Sequence, residues 1–285
     1  MANLKEIRNR IASIGSTMQI TSAMKMVSAA KLKKAQDAIV QMRPYANKLT
    51  ELLQNLSANA EDIESPYSEQ RDVKNVLLVA ITSNRGLCGG FNSNVIKETV
   101  RIAQTNYADK NVSLYTIGKK GNDLLSKKFT VIGNQNALFD TLTFENASLV
   151  AEELMQLFVG GTYDKIEIIY NQFKNAATQL VQVEQFLPLV ATISKTSSSV
   201  NYVFEPNQTD IVTVLMPKSL KMQLYKSVRD SYASEHGARM TAMHKATDNA
   251  TELRDDLLLT YNKARQAAIT NEILEIVGGA EALNN

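Results

Sequence analysis

The sequence has few of the side chains that form disulfides or soft-metal sites. It contains one cysteine, Cys88, and two histidines, His236 and His244, among 285 residues. One thiol excludes an internal disulfide, and the two histidines do not have the i, i+4 spacing of a zinc-binding helix. We therefore expect no metal site, no cofactor and no redox chemistry in this chain.

Long hydrophobic runs are also missing. The longest apolar stretches, such as Val76–Ile81, are far shorter than the roughly 20 residues that span a bilayer as a helix. The N-terminus carries no apolar block of the signal-peptide kind. The sequence thus predicts a cytosolic or peripheral protein.

Proline and glycine are scarce toward the C-terminus. Between Pro217 and Gly278 the sequence has no proline and a single glycine, Gly237. Such a stretch of about 60 residues would be roughly 90 Å long as a helix. Within it, apolar and small residues step by four and three: Ala246, Ala250, Leu253, Leu257, Thr260, Ala264, Ala267, Asn271 and Leu274. This spacing predicts a long helix whose seam faces a partner helix.

The N-terminal segment has the same periodicity. Its apolar residues step by three and four in one heptad register: Leu4, Ile7, Ile11, Ile14, Met18, Leu32, Ala35, Ile39, Met42, Ala46, Leu49, Leu53 and Leu56. The pattern predicts one long helix, kinked or locally opened at Pro44, that pairs with the C-terminal helix as an antiparallel coiled coil.

The middle of this heptad register is polar. Thr21, Lys25 and Ser28 occupy the expected apolar positions, whereas Ile20, Met24 and Val27 lie elsewhere on the helix. One interpretation is a stutter with local repacking. The other is that the apolar side chains, which point away from the seam, meet a second partner that changes or disengages.

The central segment has the texture of a compact domain. Its candidate strands are Val76–Ile81, Val112–Ile117, Phe129–Ile132, Lys165–Tyr170 and Leu180–Phe186. Its candidate helices are Asn94–Tyr107, Lys120–Ser126 and Phe144–Val159. Alternation of this kind predicts a small, largely parallel sheet.

These patterns together predict an α/β protein. A long antiparallel coiled coil of N- and C-terminal helices carries an inserted Rossmann-like α/β domain, with boundaries at 1–58, 72–192 and 207–282. The polar stretches Asn59–Arg71 and Ser194–Ser199 lie at the junctions.

The glycine-rich segment Gly86–Gly90 follows the first predicted strand, where a phosphate-binding turn would lie. Its spacing matches neither GxGxxG nor the P-loop, and Gly118–Gly121 is weaker still. A tight strand-to-helix turn is the favoured interpretation. Cys88 has no histidine in the same domain to act as its base, so no catalytic constellation is predicted.

Charge is unevenly distributed. Residues 1–57 hold nine basic and three acidic side chains, which gives +6 within a chain of net charge +2. Such a segment is typical of a solvated helix face or of contact with an acidic protein, more often than of nucleic-acid or lipid binding.

Three blocks of the sequence resemble the gamma subunits of F-type ATP synthases. They are Lys5–Val27, Arg85–Gly90 and Ala246–Ala280. The resemblance implies a non-catalytic central rotor shaft that couples rotation of a proton- or sodium-driven membrane c ring to conformational changes at the beta-subunit catalytic sites. The implied partners are three alpha and three beta subunits, the epsilon subunit and the c ring, with no nucleic acid. The implied location is peripheral, on the cytoplasmic face of the bacterial plasma membrane.

The resemblance also implies contact residues. Those for the beta subunit are Met24, Lys25, Arg239, Gln266, Thr270 and Glu272. Those for epsilon and the c ring are Tyr202, Phe204 and Glu205. Lys25 departs from the family, because many members have glutamate there, and the paired cysteines of chloroplast members are absent.

Two alternatives remain from the residues alone. One is a coiled-coil adaptor that carries a nucleotide-binding α/β domain. The other is a structural or nucleic-acid-binding coiled coil that uses the basic N-terminal helix.

Overall fold

The computed structural model describes residues 4–58, 66–189 and 208–283. Five helices are α1 (Leu4–Ala58), α2 (Phe91–Thr105), α3 (Lys119–Leu125), α4 (Phe144–Val159) and α5 (Gln208–Leu283). Five strands are β1 (Asn75–Ile81), β2 (Asn111–Ile117), β3 (Thr130–Asn134), β4 (Lys165–Phe173) and β5 (Gln179–Leu187). The chain divides into two units, one of Met1–Ser28 with Met240–Asn285 and one of Ala29–Arg239.

The heptad predicted for α1 is confirmed. Its buried residues follow that register from one end to the other: Ile7, Thr21, Ser28, Leu32, Ala35, Ile39, Ala46 and Leu49. Ile20 and Val27 are instead 60% and 57% exposed, and Met24 is partly buried. The register therefore continues through the polar positions, and the stutter interpretation is wrong.

Polar contacts fix the direction of the helix pair in the first unit. Arg8 Nη2 donates to the Tyr261 hydroxyl at 2.7 Å, and Thr21 Oγ1 lies 2.8 Å from Thr247 Oγ1. Residue numbers thus rise along α1 while those of their partners fall along α5. The two helices are antiparallel, as predicted.

The seam predicted for α5 is only half right. Ala246, Ala250, Leu257 and Ala264 are partly buried, as expected. The alternate seam positions lie one residue later than predicted, since Leu253 is 51% exposed and Thr260 is exposed, whereas Arg254 and Tyr261 are partly buried. The remaining predicted positions, Ala267, Asn271 and Leu274, are exposed. At these two positions the seam uses arginine and tyrosine where leucine and threonine were predicted. The Tyr261 hydroxyl accepts from Arg8 of α1, and Arg254 bonds to Asp255 of its own helix.

In the second unit the strands form one sheet of order β3-β2-β1-β4-β5. The three pairings among β3, β2, β1 and β4 are parallel, and β4 pairs with β5 in antiparallel fashion. Each predicted strand and helix is present with small shifts at its ends. The prediction of a largely parallel sheet is confirmed.

Helices cover both faces of this sheet, which explains the unbroken apolar run of β1. Leu77, Val79 and Ile81 pack with side chains of α4 and α5. Val76 and Leu78 pack on the other face with side chains of α2 and α3. A strand buried on both sides has no polar-facing residues, so its sequence does not alternate.

The domain boundaries 1–58, 72–192 and 207–282 stay a prediction, and Ser194–Ser199 lies outside the described residues. Among the described helices, none has an apolar stretch long enough to cross a bilayer.

Candidate functional site

The glycine-rich loop between β1 and α2 is a tight turn. Leu87 and Gly89 have left-handed backbone conformations, with φ of 61° and 57°. The loop is closed internally, because the Ser83 amide donates to Asn92 Oδ1 at 2.9 Å and Asn92 Nδ2 lies 3.3 Å from the sulfur of Cys88. This arrangement agrees with the predicted strand-to-helix turn.

The loop buries one side chain and presents another. Cys88 is 2% exposed, and this burial raises the pKa of its thiol above the ordinary value. The neighbouring Leu87 is 65% exposed. A large apolar side chain held outward by an uncommon backbone conformation is an expected feature of a contact surface.

Arg239 of α5 reaches into this loop. Its Nη2 donates to the carbonyl oxygens of Arg85 and Gly86 at 3.2 and 3.3 Å, and to Glu235 Oε1 at 2.7 Å. The residue is only 7% exposed. The resemblance assigned Arg239 to a partner contact, whereas here its guanidinium is engaged within the chain.

Two titratable neighbours of Arg239 are also buried. Desolvation raises the pKa of Glu235, and the positive charge of Arg239 opposes that rise. Burial lowers the pKa of His236 to about 3, with further lowering by Arg239 and Lys31. His236 is therefore neutral at physiological pH, and its Nδ1 lies 3.4 Å from Arg239 Nη1, as an acceptor would.

Around these residues α5 is buried on every side. All residues from 233 to 239 are buried. Ala238 packs against Cys88 and Phe91, and Ser234 Oγ donates at 3.0 Å to the carbonyl of Asn171, near the end of β4. The helix thus fills the space beyond the carboxyl ends of β1 and β4.

The N-terminal candidates lie on α1. Met24 and Lys25 are partly buried, while the next two residues, Met26 and Val27, are well exposed. The apolar face next to the predicted contact is therefore open in this chain.

The C-terminal candidates lie on an uncovered part of α5. Since Arg8 pairs with Tyr261, the residues of α5 beyond about 265 lie past the first described residue of α1. Gln266, Thr270 and Glu272 are exposed. Thr270 Oγ1 donates to the Gln266 carbonyl at 2.9 Å, so its hydroxyl is already bonded within the helix.

Sequence reasoning missed the apolar part of this end. Its large exposed side chains are Ile269, Ile273, Leu274, Ile276 and Val277. The available signal was the length of the two helices, because a seam ends where its partner helix ends. The candidates Tyr202, Phe204 and Glu205 lie outside the described residues.

Comparisons with known proteins agree with this architecture. A family model described as ATP synthase matches residues 3–283. The ATP synthase gamma chain of Flavobacterium johnsoniae is 71% identical over 100% of both chains, and that of Christiangramia forsetii is 66% identical over 100% of both.

Solved structures point the same way. The central stalk and c-ring structure of the Tetrahymena thermophila mitochondrial ATP synthase matches with a TM-score of 0.62 and 30% identity, over 80% of this chain and 99% of the other. A rotor chain of the Euglena gracilis mitochondrial ATP synthase has a TM-score of 0.69 over 93% and 98%, and at 23% identity it supports the fold alone. The chain belongs to the gamma-chain family of ATP synthases.

Proposed function

We propose that this chain is the central shaft of an ATP synthase. It turns with the membrane c ring and couples that rotation to the conformational states of the catalytic beta subunits. The chain is a non-catalytic subunit, and the bond chemistry belongs to its partners. Those partners are three alpha and three beta subunits, the epsilon subunit and the c ring.

The observation that carries this proposal is the bare end of α5. Five large apolar side chains and a polar group share a helix end that no described residue of α1 covers. Exposed apolar patches of this kind mark interaction sites. A single helix end inside a surrounding assembly meets different subunits as it turns, and differential contacts shift the conformational populations of those subunits.

The exposure of this helix end supports part of the contact set that the resemblance implies. We assign Gln266, Thr270 and Glu272 on the bare end of α5 to a beta-subunit contact, together with Met24 and Lys25 beside the exposed apolar face of α1. For Arg239 we propose an indirect role, because its guanidinium is buried. We keep Tyr202, Phe204 and Glu205 as candidates for epsilon and the c ring on the resemblance alone.

The chain is part of a membrane-associated complex. We place it on the cytoplasmic face of the bacterial plasma membrane, held there through the c ring. The bacterial source of its highly similar relatives supports this location.

Rotation of the chain within its complex is the direct test. The chain is co-expressed with its alpha and beta subunits, and a bead is attached through Lys97→Cys, an exposed position on α2. We expect co-purification and directional rotation of the bead on addition of ATP. The same complex without ATP is the control.

Two results would contradict the proposal. Co-purification with a bead that stays still during ATP hydrolysis would make the chain a static component. ATP binding by the purified chain alone, measured by equilibrium dialysis, would favour the nucleotide-binding adaptor instead.

A further inference from the structure

The central sheet has a crevice of the kind that binds ligands in open α/β proteins. The strand next to β1 on one side is β2 and on the other side is β4, so the chain changes direction across the sheet at β1. Ligands of such sheets bind beyond the carboxyl ends of the strands at this switch point. In this chain the place is taken by α5 of the same molecule.

Three sets of contacts hold α5 there. Ser234 Oγ donates to the backbone carbonyl of Asn171. The side-chain Nδ2 of Asn171 in turn donates to the backbone carbonyl of Phe91 at 3.1 Å. Ala238 packs on Cys88 and Phe91. Arg239 supplies the third set, to the first two residues of the loop.

The third set is the one that acts on the loop backbone. The guanidinium spans two successive carbonyl oxygens, with Nε and Nη2 at 3.4 and 3.3 Å from Gly86 O and Nη2 at 3.2 Å from Arg85 O. Glu235 Oε1 accepts from the same Nη2 at 2.7 Å. A planar fork with several fixed donors can do this, whereas a lysine ammonium is a single point charge.

The loop needs such a restraint. Leu87 has a φ of 61°. Residues other than glycine rarely adopt this backbone conformation, and it persists only when the surrounding structure imposes it. The two residues before Leu87 are the ones whose carbonyls Arg239 binds. The residue after it, Cys88, is buried against α5.

We propose that Arg239 is a positioning residue that fastens the loop Arg85–Gly90 to α5, so that the loop keeps Leu87 outward and Cys88 inward only while the helix holds it. In this role the Arg239 side chain occupies the crevice in which other open α/β sheets bind a ligand. The loop and the part of α5 up to Arg239, which belong to the same unit, then move as one body. The fastening itself is independent of the proposed function, and only its effect on coupling rests on that function.

Cys88 is a built-in reporter, because it is the single cysteine of the chain and is buried in the loop. The assembled complex is treated with a maleimide, and labelling of the Cys88 peptide is followed by mass spectrometry, so that thiols of partner subunits do not interfere. We expect Arg239→Lys to raise the labelling rate by about tenfold or more, since two charge-assisted hydrogen bonds are lost.

The matched control is Arg229→Lys. Arg229 lies on the same helix and donates to the Leu142 carbonyl at 2.8 Å, away from the loop. We expect its labelling rate to equal that of the unaltered chain. An unchanged rate in Arg239→Lys, or an equal rise in both variants, would overturn the proposal.

A second variant keeps the test available if Arg239→Lys does not assemble. Glu235→Gln with Arg239→Gln removes both charges together, so no buried carboxylate loses its partner. It is expected to show the same rise in labelling, and an unchanged rate would again overturn the fastening.

Proton pumping per ATP hydrolysed, measured on the same samples, distinguishes the fastening of the loop from its effect on coupling. Raised labelling with unchanged pumping would retain the fastening but overturn its link to coupling. A complex that never rotates would contradict the proposed function while leaving the labelling result intact.

Discussion

Asp230 shows how burial alters a single ionisable side chain in this protein. It lies on α5, and desolvation raises the pKa of its carboxyl from 3.8 to about 6. Lys226 and Arg43 act against this rise, while Glu184 adds to it. The folded state therefore binds a proton that the unfolded state releases, and stability falls as pH rises from about 4 to 6.

Asp230→Asn removes this titration. At pH 7.5 we expect the free energy of unfolding of the variant to exceed that of the unaltered chain by up to about 3 kcal/mol. This is the free energy that corresponds to the difference between the pKa values of Asp230 in the folded and unfolded states. At pH 4 this difference should fall to about 0.5 kcal/mol, because the unfolded carboxyl is then only partly ionised. Urea unfolding followed by circular dichroism at both pH values measures it. His236 titrates in the opposite sense, but it is present in both chains and its contribution cancels. An equal advantage at both pH values would contradict the prediction.

Gly237 provides space for a neighbouring hairpin. A Cβ placed there would lie 3.2 Å from Ala176 Cα and 3.3 Å from its carbonyl oxygen. The close approach of α5 to the turn between β4 and β5 depends on the missing side chain.

Gly237→Ala should therefore lower the free energy of unfolding by about 1–2 kcal/mol, since the gain in helix propensity is outweighed by a clash with backbone. Gly278→Ala is the matched control on the same helix, with nothing within 4 Å of its Cβ. We expect the control to gain about 0.5–1 kcal/mol. Chemical unfolding of the full chain compares the two variants. A higher free energy of unfolding in both would contradict the prediction, because the hairpin would then have moved to make room for the added methyl group.

At the scale of elements, the seam between α1 and α5 in the first unit combines apolar side chains, such as Ile7 and Leu257, with polar ones. Thr247 Oγ1 donates to the Met243 carbonyl at 2.8 Å as well as lying beside Thr21. Hydroxyls satisfied by their own helix can enter a seam without the cost of unpaired polar groups. Periodicity therefore identifies the helices more reliably than it identifies the buried side of α5.

Leu257→Asp and Leu253→Asp distinguish the seam seen in the structure from the seam predicted from the sequence. Leu257 is partly buried and Leu253 is 51% exposed. We expect Leu257→Asp to lower the free energy of unfolding by about 1–3 kcal/mol and Leu253→Asp to change it by less than about 0.5 kcal/mol. Thermal unfolding followed by helical circular dichroism gives both values. Equal losses of unfolding free energy in the two variants would mean that Leu253 lies in the seam, as the sequence predicted.

On the scale of the whole molecule, the bare end of α5 is where the chain meets its surroundings. Gln266 and Thr270 are exposed there, one helical turn apart. If their polar groups bind a partner transiently in each step, each hydrogen bond contributes about 0.5–1.5 kcal/mol. Such energies change rates more than they change assembly.

Gln266→Leu and Thr270→Val preserve approximate shape while removing polarity. We expect each to lower ATPase turnover and proton pumping by up to about tenfold at normal yield of complex. Gln104→Leu, at an exposed position on α2, is the control for the loss of a surface amide. Full rates in both variants would mean that the two side chains are merely solvated, and the contact would then be assigned to the exposed apolar residues.

The sequence by itself determined the elements of this protein. Period-3.5 spacing specified α1 through its polar middle, and branched apolar runs specified β1 and β4. The failed GxGxxG spacing identified Gly86–Gly90 as a turn. These features are local, because they depend on backbone geometry and on the alternation of side chains along one segment.

Tertiary structure decided which surfaces those elements use. The side of α5 that faces α1 carries Arg254 and Tyr261 where the sequence predicted Leu253 and Thr260, and the Tyr261 hydroxyl accepts a hydrogen bond from Arg8 of α1. Arg239 turns inward because the loop carbonyls lie within its reach. Residues far apart in the chain create each of these environments, and one-dimensional periodicity carries no record of where such residues meet.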